Sequence, residues 1–121
     1  MSEHDHQAAL FSWAERQKRD ELKDMFAVPN GGKRHPAVAK KLKAEGVKPG
    51  VPDVLMPSPR GGWVGLAIEF KFDDGNCGKE QRERITRMQR DGWLCVVVWD
   101  WEAAARTVMG YLDMPKWEVL A

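Results

Sequence analysis

Apolar and polar positions recur with different periods along this chain, and the periods mark out its elements. Glu3, Gln7, Leu10 and Ala14 follow i, i+4, i+7, i+11 spacing beside Phe11 and Trp13, the stripe of an amphipathic helix. That helix is expected to run to about Met25 and to end before Pro29, which biases Val28 away from helix. Glu3 and Gln7 then point where the apolar side chains point. Asn30-Gly31-Gly32-Lys33-Arg34-His35 carries a turn signature. Pro36 suits the first position of a second helix, expected to carry Val38 and Leu42 inward and to stop at Gly46.

Pro49-Gly50-Val51-Pro52 is a stiff loop leading into a short strand, Asp53 to Met56, which breaks at Pro57. Arg60-Gly61-Gly62 reads as a hairpin turn. Beyond it Leu66, Ile68, Phe70 and Phe72 alternate with Gly65, Ala67, Glu69, Lys71 and Asp73, a strand with one large apolar face and one that is small and then charged. A loop from Asp73 to Gly78 precedes a helix from about Lys79 to Asp91, with Gln81, Ile85 and Met88 inward and mostly arginine outward. Cys95 to Trp99 is a continuous apolar run, expected in the middle of a sheet and buried on both faces. Asp100 can cap a last helix carrying Ala104, Ala105, Val108, Met109 and Leu112. The order helix, helix, strand, strand, strand, helix, strand, helix implies an α/β fold, a mixed sheet covered by helices.

A length of 121 residues, 43% of them hydrophobic, is enough for one globular domain over residues 1–121 with a core of its own. Cys77 and Cys95 are the only cysteines and have no CxxC spacing, which excludes a disulfide framework and a four-ligand zinc site and points to the reducing cytosol. No apolar stretch approaches the roughly 18 residues of a membrane span, and Met1 to Leu10 is polar, so neither insertion nor secretion is expected. The net charge of +1 announces no polyanion partner, but its distribution does. Lys33 to Lys48 holds six basic residues and one acid, and Lys79 to Arg90 five basic residues and two acids. Two basic segments in a neutral chain suggest one positive side suited to phosphate.

The candidate chemistry lies between those segments. Asp53 opens a strand sixteen positions before Glu69, and the Gly61-Gly62 turn can fold it back beside Glu69. Glu69 and Lys71, at i and i+2, leave one face of one strand about 7 Å apart at the backbone. Gln81 takes a core position where an apolar residue would be the cheaper choice. Two carboxylates about 4 Å apart repel by roughly 4 kcal/mol at an effective dielectric of 20, so converging Asp53 and Glu69 calls for a positive group between them. A Mg²⁺ ion, which takes oxygen ligands and keeps waters, meets that need and can polarise a phosphoryl oxygen. Lys71 can orient or deprotonate an attacking water, or neutralise charge on the transition-state oxygens. These residue types match phosphodiester hydrolysis.

Pro52-Asp53, Glu69-Phe70-Lys71 and Gln81 together resemble the PD-(D/E)xK nuclease signature. Their surroundings, from Glu3-x-x-x-Gln7 through Pro29-Asn30-Gly31-Gly32 and Leu42 to Asp53, are similar to the virus-type replication-repair nuclease (VRR-NUC) domain, in its stand-alone phage type. The resemblance implies a restriction-endonuclease-like fold, with Asp53, Glu69 and the Phe70 carbonyl binding Mg²⁺ or Mn²⁺, Lys71 serving the attacking water, and Gln81 and Glu3 in supporting or second-metal roles. Phe70 stands where the family often has a small aliphatic residue. The implied activity is a metal-dependent endodeoxyribonuclease of branched DNA, similar to Holliday junction resolvases and homodimeric, acting in the cytoplasm, the host's if phage-encoded. Candidate DNA contacts are Asn30, Gly31, Gly32, Lys33 and Arg34.

The alternatives are a non-catalytic DNA-binding or assembly module of the same shape, against which the intact Asp53, Glu69 and Lys71 set argues, and an RNA nuclease. His4 and His6 read as disordered decoration near a terminus, and His35, in a basic loop, finds no second histidine for an HNH-type site. Of the six tryptophans, Trp99 and Trp101 are expected to pack, and Trp63 and Trp117 can serve a dimer contact.

Overall fold

The computed structural model describes residues 1–29, 35–72 and 77–116. The helices are α1 (Glu3–Glu15), α2 (Pro36–Ala44), α3 (Lys79–Arg90) and α4 (Trp101–Leu112), and the strands are β1 (Phe26–Ala27), β2 (Val54–Met56), β3 (Gly65–Phe70) and β4 (Trp93–Val98). The strands form one sheet in the order β1-β2-β3-β4, antiparallel except for the parallel pair β3 and β4. A parallel pair needs a crossover, and α3 supplies it.

The period-2 pattern decides which layer covers each face. Leu66, Ile68 and Phe70 of β3, with Val54 and Met56 of β2, are buried against Leu10 of α1 and Ala104, Val108 and Leu112 of α4. Helix α3 lies on the opposite face, over β4. Asp100 caps α4 as expected, its Oδ1 accepting the Ala103 N–H at 2.7 Å. Arg60, in the hairpin turn, is buried and donates to the carbonyls of Pro59 and Leu112 and to the Glu21 carboxylate, tying the turn to α4 and to the chain before β1.

Several expectations are corrected. Helix α1 stops at Glu15, because Glu15 to Asp20 offers the core no apolar side chain; a separate 3-10 turn (Asp20–Asp24) then buries Leu22 and Met25. Of the three strands expected between the second and third helices, two form, β2 and β3, and an additional strand, β1, lies between the first two helices. Strand β4 is not central: among the described residues it is the sheet's edge, and only Val98 of it is fully buried. Val38 points outward at 48% exposure, since no residue of α2 is buried in the core, while Leu42 is half-buried. Trp101 and Trp63 pack against the core, but Trp99 is 54% exposed. His4 and His6 belong to α1, where His6 Nδ1 accepts the Trp101 N–H at 3.2 Å, and His35 Nδ1 caps α2 by accepting the Ala37 N–H. Trp117 lies outside the described residues.

Candidate active site

Register assembles the site. Val54 pairs with Ile68 across the antiparallel β2 and β3, so Asp53, one residue earlier, stands opposite Glu69, one residue later, on the same face of the sheet. The Asp53 main chain is held by the Val28 N–H, which donates to its carbonyl at 2.8 Å. Its carboxylate is held as well: Oδ2 accepts the Phe70 N–H at 2.8 Å.

The loop before Asp53 is built to pass under α3. Gly50 has φ +82°, and a Cβ there would come within 2.8 Å of the Glu80 carbonyl carbon and oxygen and 2.9 Å of the Gln81 nitrogen. Only glycine accepts both that torsion and that approach. The contact sets the distance between the Asp53 strand and the helix turn carrying Gln81.

Glu69 is 5% exposed, an unusual state for a carboxylate. Its Oε2 lies 3.0 Å from Lys71 Nζ, which also donates to Gln81 Oε1 at 2.8 Å. Its Oε1 is buried and has no hydrogen-bond partner. Burial first, and then the Asp53 charge, pushes the Glu69 pKa up to about 7, against the pull of Lys71 and Gln81. Burial works against the Lys71 charge too, but the hydrogen bond and charge of Glu69 outweigh it and leave the ammonium above its ordinary range. Lys71 is therefore a cation here.

Asp53, Glu69 and Gln81 face a cleft of about 980 Å³ between α2 and α3, with Asp53 and Glu69 at its floor and Lys43, Lys48 and Lys79, beside the acids Glu3 and Glu80, around them. Sequence reading placed those lysines in the two basic segments without singling them out as cleft residues. The signal available was the i, i+3, i+4 spacing of Ala39, Leu42 and Lys43, which share the helix face that lines the cleft.

The structure thus brings together Asp53, Glu69, Lys71 and Gln81. Glu3, from the first turn of α1, lines the same cleft but is exposed, and among the described residues no group of three or more His, Cys, Asp and Glu is placed to hold a metal. The Phe70 side chain is buried in the core. Asn30, Gly31, Gly32, Lys33 and Arg34 lie outside the described residues. Gly65 and Ala67, the small residues on the strand face that carries Glu69, leave no room there for a metal or phosphate. A Cβ at Gly65 would come within 2.5 Å of the Trp93 ring, and Ala67 is fully buried, so that part of the face is filled.

The donor set suits a hard divalent cation: two carboxylates on adjacent strands, one with an oxygen that is buried and unpartnered, at the floor of an open cleft. No helix among the described residues is long and apolar enough to cross a membrane. Among curated proteins none matches this chain. A solved structure described as a VRR_NUC domain protein is 26% identical and superposes with a TM-score of 0.81 over 98% of this chain and 93% of its own. The model of the VRR-NUC domain family matches residues 1–99. With an α/β nuclease-like fold and a family model covering most of its length, the chain belongs to the VRR-NUC domain family, a nuclease-related family.

Proposed function

We propose that this chain is a single-domain, metal-dependent endodeoxyribonuclease that hydrolyses phosphodiester bonds in branched or structured DNA, in the manner of a Holliday junction resolvase. The observation that carries the reading is the buried, unpartnered Oε1 of Glu69 opposite Asp53. A carboxylate oxygen without a partner costs about 1–3 kcal/mol or more, and a bound cation removes that cost.

In this reading Asp53, Glu69 and the Phe70 carbonyl hold Mg²⁺ or Mn²⁺, with Glu3 available from the cleft wall. The ion, when bound, supplies Lewis-acid polarisation of the scissile phosphate and a more acidic water. The chain's own groups do the rest. Gln81 Oε1 holds the Lys71 ammonium 2.8 Å away, so the lysine faces the reaction as a fixed positive charge beside the carboxylates. Lys71 orients the attacking water and stabilises the negative charge that grows on the phosphoryl oxygens. The water oxygen bonds to phosphorus, the bond from phosphorus to one sugar oxygen breaks, the water's proton passes to solvent, and the leaving sugar oxygen takes up a proton from solvent to become a hydroxyl. Lys43, Lys48 and Lys79 bind neighbouring phosphates along the cleft, and Asn30, Gly31, Gly32, Lys33 and Arg34 are proposed as further DNA contacts. Two copies of such a domain, each offering its cleft lysines, grip the arms of a junction, so the active form in this reading is a homodimer working on DNA in the cytoplasm.

The test is a panel of labelled duplex, flap, fork and four-way junction, with Mg²⁺, Mn²⁺ or EDTA, read alongside solution mass. Metal-dependent cuts in the junction by a dimer are expected. Binding without cutting under every metal condition would instead favour a non-catalytic module, and preferential cutting of a parallel RNA substrate would move the substrate class.

A further inference from the structure

A second, shallower hollow of about 540 Å³ adjoins the cleft, lined by Met1, Ser2, Glu3, His4 and Phe72. Glu3 lines both, so the hollow meets the cleft at the first turn of α1. Phe72 stands two residues beyond the end of β3, where it leaves the buried apolar face it was expected to share with Phe70, lines this hollow and keeps 52% of its surface open. A large ring in solvent forgoes apolar burial, and this one shares its hollow with Glu3, which also lines the cleft that carries Lys43, Lys48 and Lys79. Cations for phosphates and an aromatic face for bases are the composition of a single-strand platform. The Glu3 carboxylate disfavours a phosphate in the hollow itself, so the part of a strand that settles there is sugar and base. Bases within an intact duplex have both faces covered by their neighbours; only an unpaired or splayed nucleotide offers one to Phe72.

We infer that Phe72 is a stacking platform for an unpaired nucleobase next to the scissile phosphate, and that the hollow is the subsite through which the chain selects distorted over regular DNA. The inference rests on the nuclease reading for what occupies the cleft, and its test is read without cleavage. Fluorescence anisotropy in EDTA compares a labelled fork with the same fork carrying abasic residues in its unpaired strand. The base-bearing fork is expected to bind about tenfold more tightly. Phe72→Ala should remove that preference and leave affinity for the abasic fork unchanged, Phe72→Trp should restore it, and Phe26→Ala, an exposed ring lining neither hollow, should change nothing. Equal affinity of the wild-type protein for both forks, or an equal loss on both in Phe72→Ala, overturns the inference. A protein that shows the preference but never cuts refutes the nuclease reading and leaves the subsite standing; one that cuts without the preference refutes the subsite alone.

Discussion

At the scale of single residues, Glu69 holds the tension between stability and function. Its pKa rises from 4.5 to about 7 on folding, so between those values the unfolded chain gives up its proton before the folded one does. Stability from this group is thus fully present below pH 4.5 and lost as pH rises through about 7, at most about 3 kcal/mol in all. In EDTA, denaturant unfolding should show the metal-free protein losing stability over that interval, with the loss absent in Glu69→Gln. Added Mn²⁺ should restore stability at pH 8 and do nothing at pH 4.5. A flat profile in the wild-type protein would contradict the burial argument. Lys71 has the opposite character: its ammonium is retained by Glu69, so Lys71→Ala should cut cleavage at least about a hundredfold while DNA binding and fold persist.

At the scale of elements, the site depends on how closely the Pro49 to Pro52 loop passes beneath α3. Gly50→Ala combines a left-handed torsion with backbone collisions and should cost about 2 kcal/mol or more, displacing Gln81 and lowering turnover with it. Gly46→Ala, with φ +96° and no atom within 4 Å of its Cβ, should cost only about 1 kcal/mol and spare turnover. Thermal unfolding and cleavage rates of the two variants check the contrast. The site was legible wherever a backbone rule fixed direction: alternation placed Glu69 and Lys71 on one face, and the glycine turn brought Asp53 opposite. It was not legible where a distant segment decided. The Trp93 ring that fills the space over Gly65 comes from another strand, β1 is too short to show a period, and an apolar run such as Trp93 to Val98 reads alike at the centre of a sheet and at its edge.

At the scale of the whole molecule, a near-neutral chain sets Lys43, Lys48 and Lys79 around a cleft whose floor carries Asp53 and Glu69. Lys43→Ala and Lys48→Ala should each weaken DNA binding across all sequences and reduce the salt slope of log affinity by about 1, measured in EDTA from low to physiological salt. The floor carries the central claim, that one cation sits between Asp53 and Glu69. Isothermal titration of Mn²⁺ into the DNA-free protein tests it most directly: saturable binding at one shared site, weakened at least about tenfold in both Asp53→Asn and Glu69→Gln while both variants stay folded, is the predicted result. Mn²⁺ affinity unchanged by either substitution would contradict it.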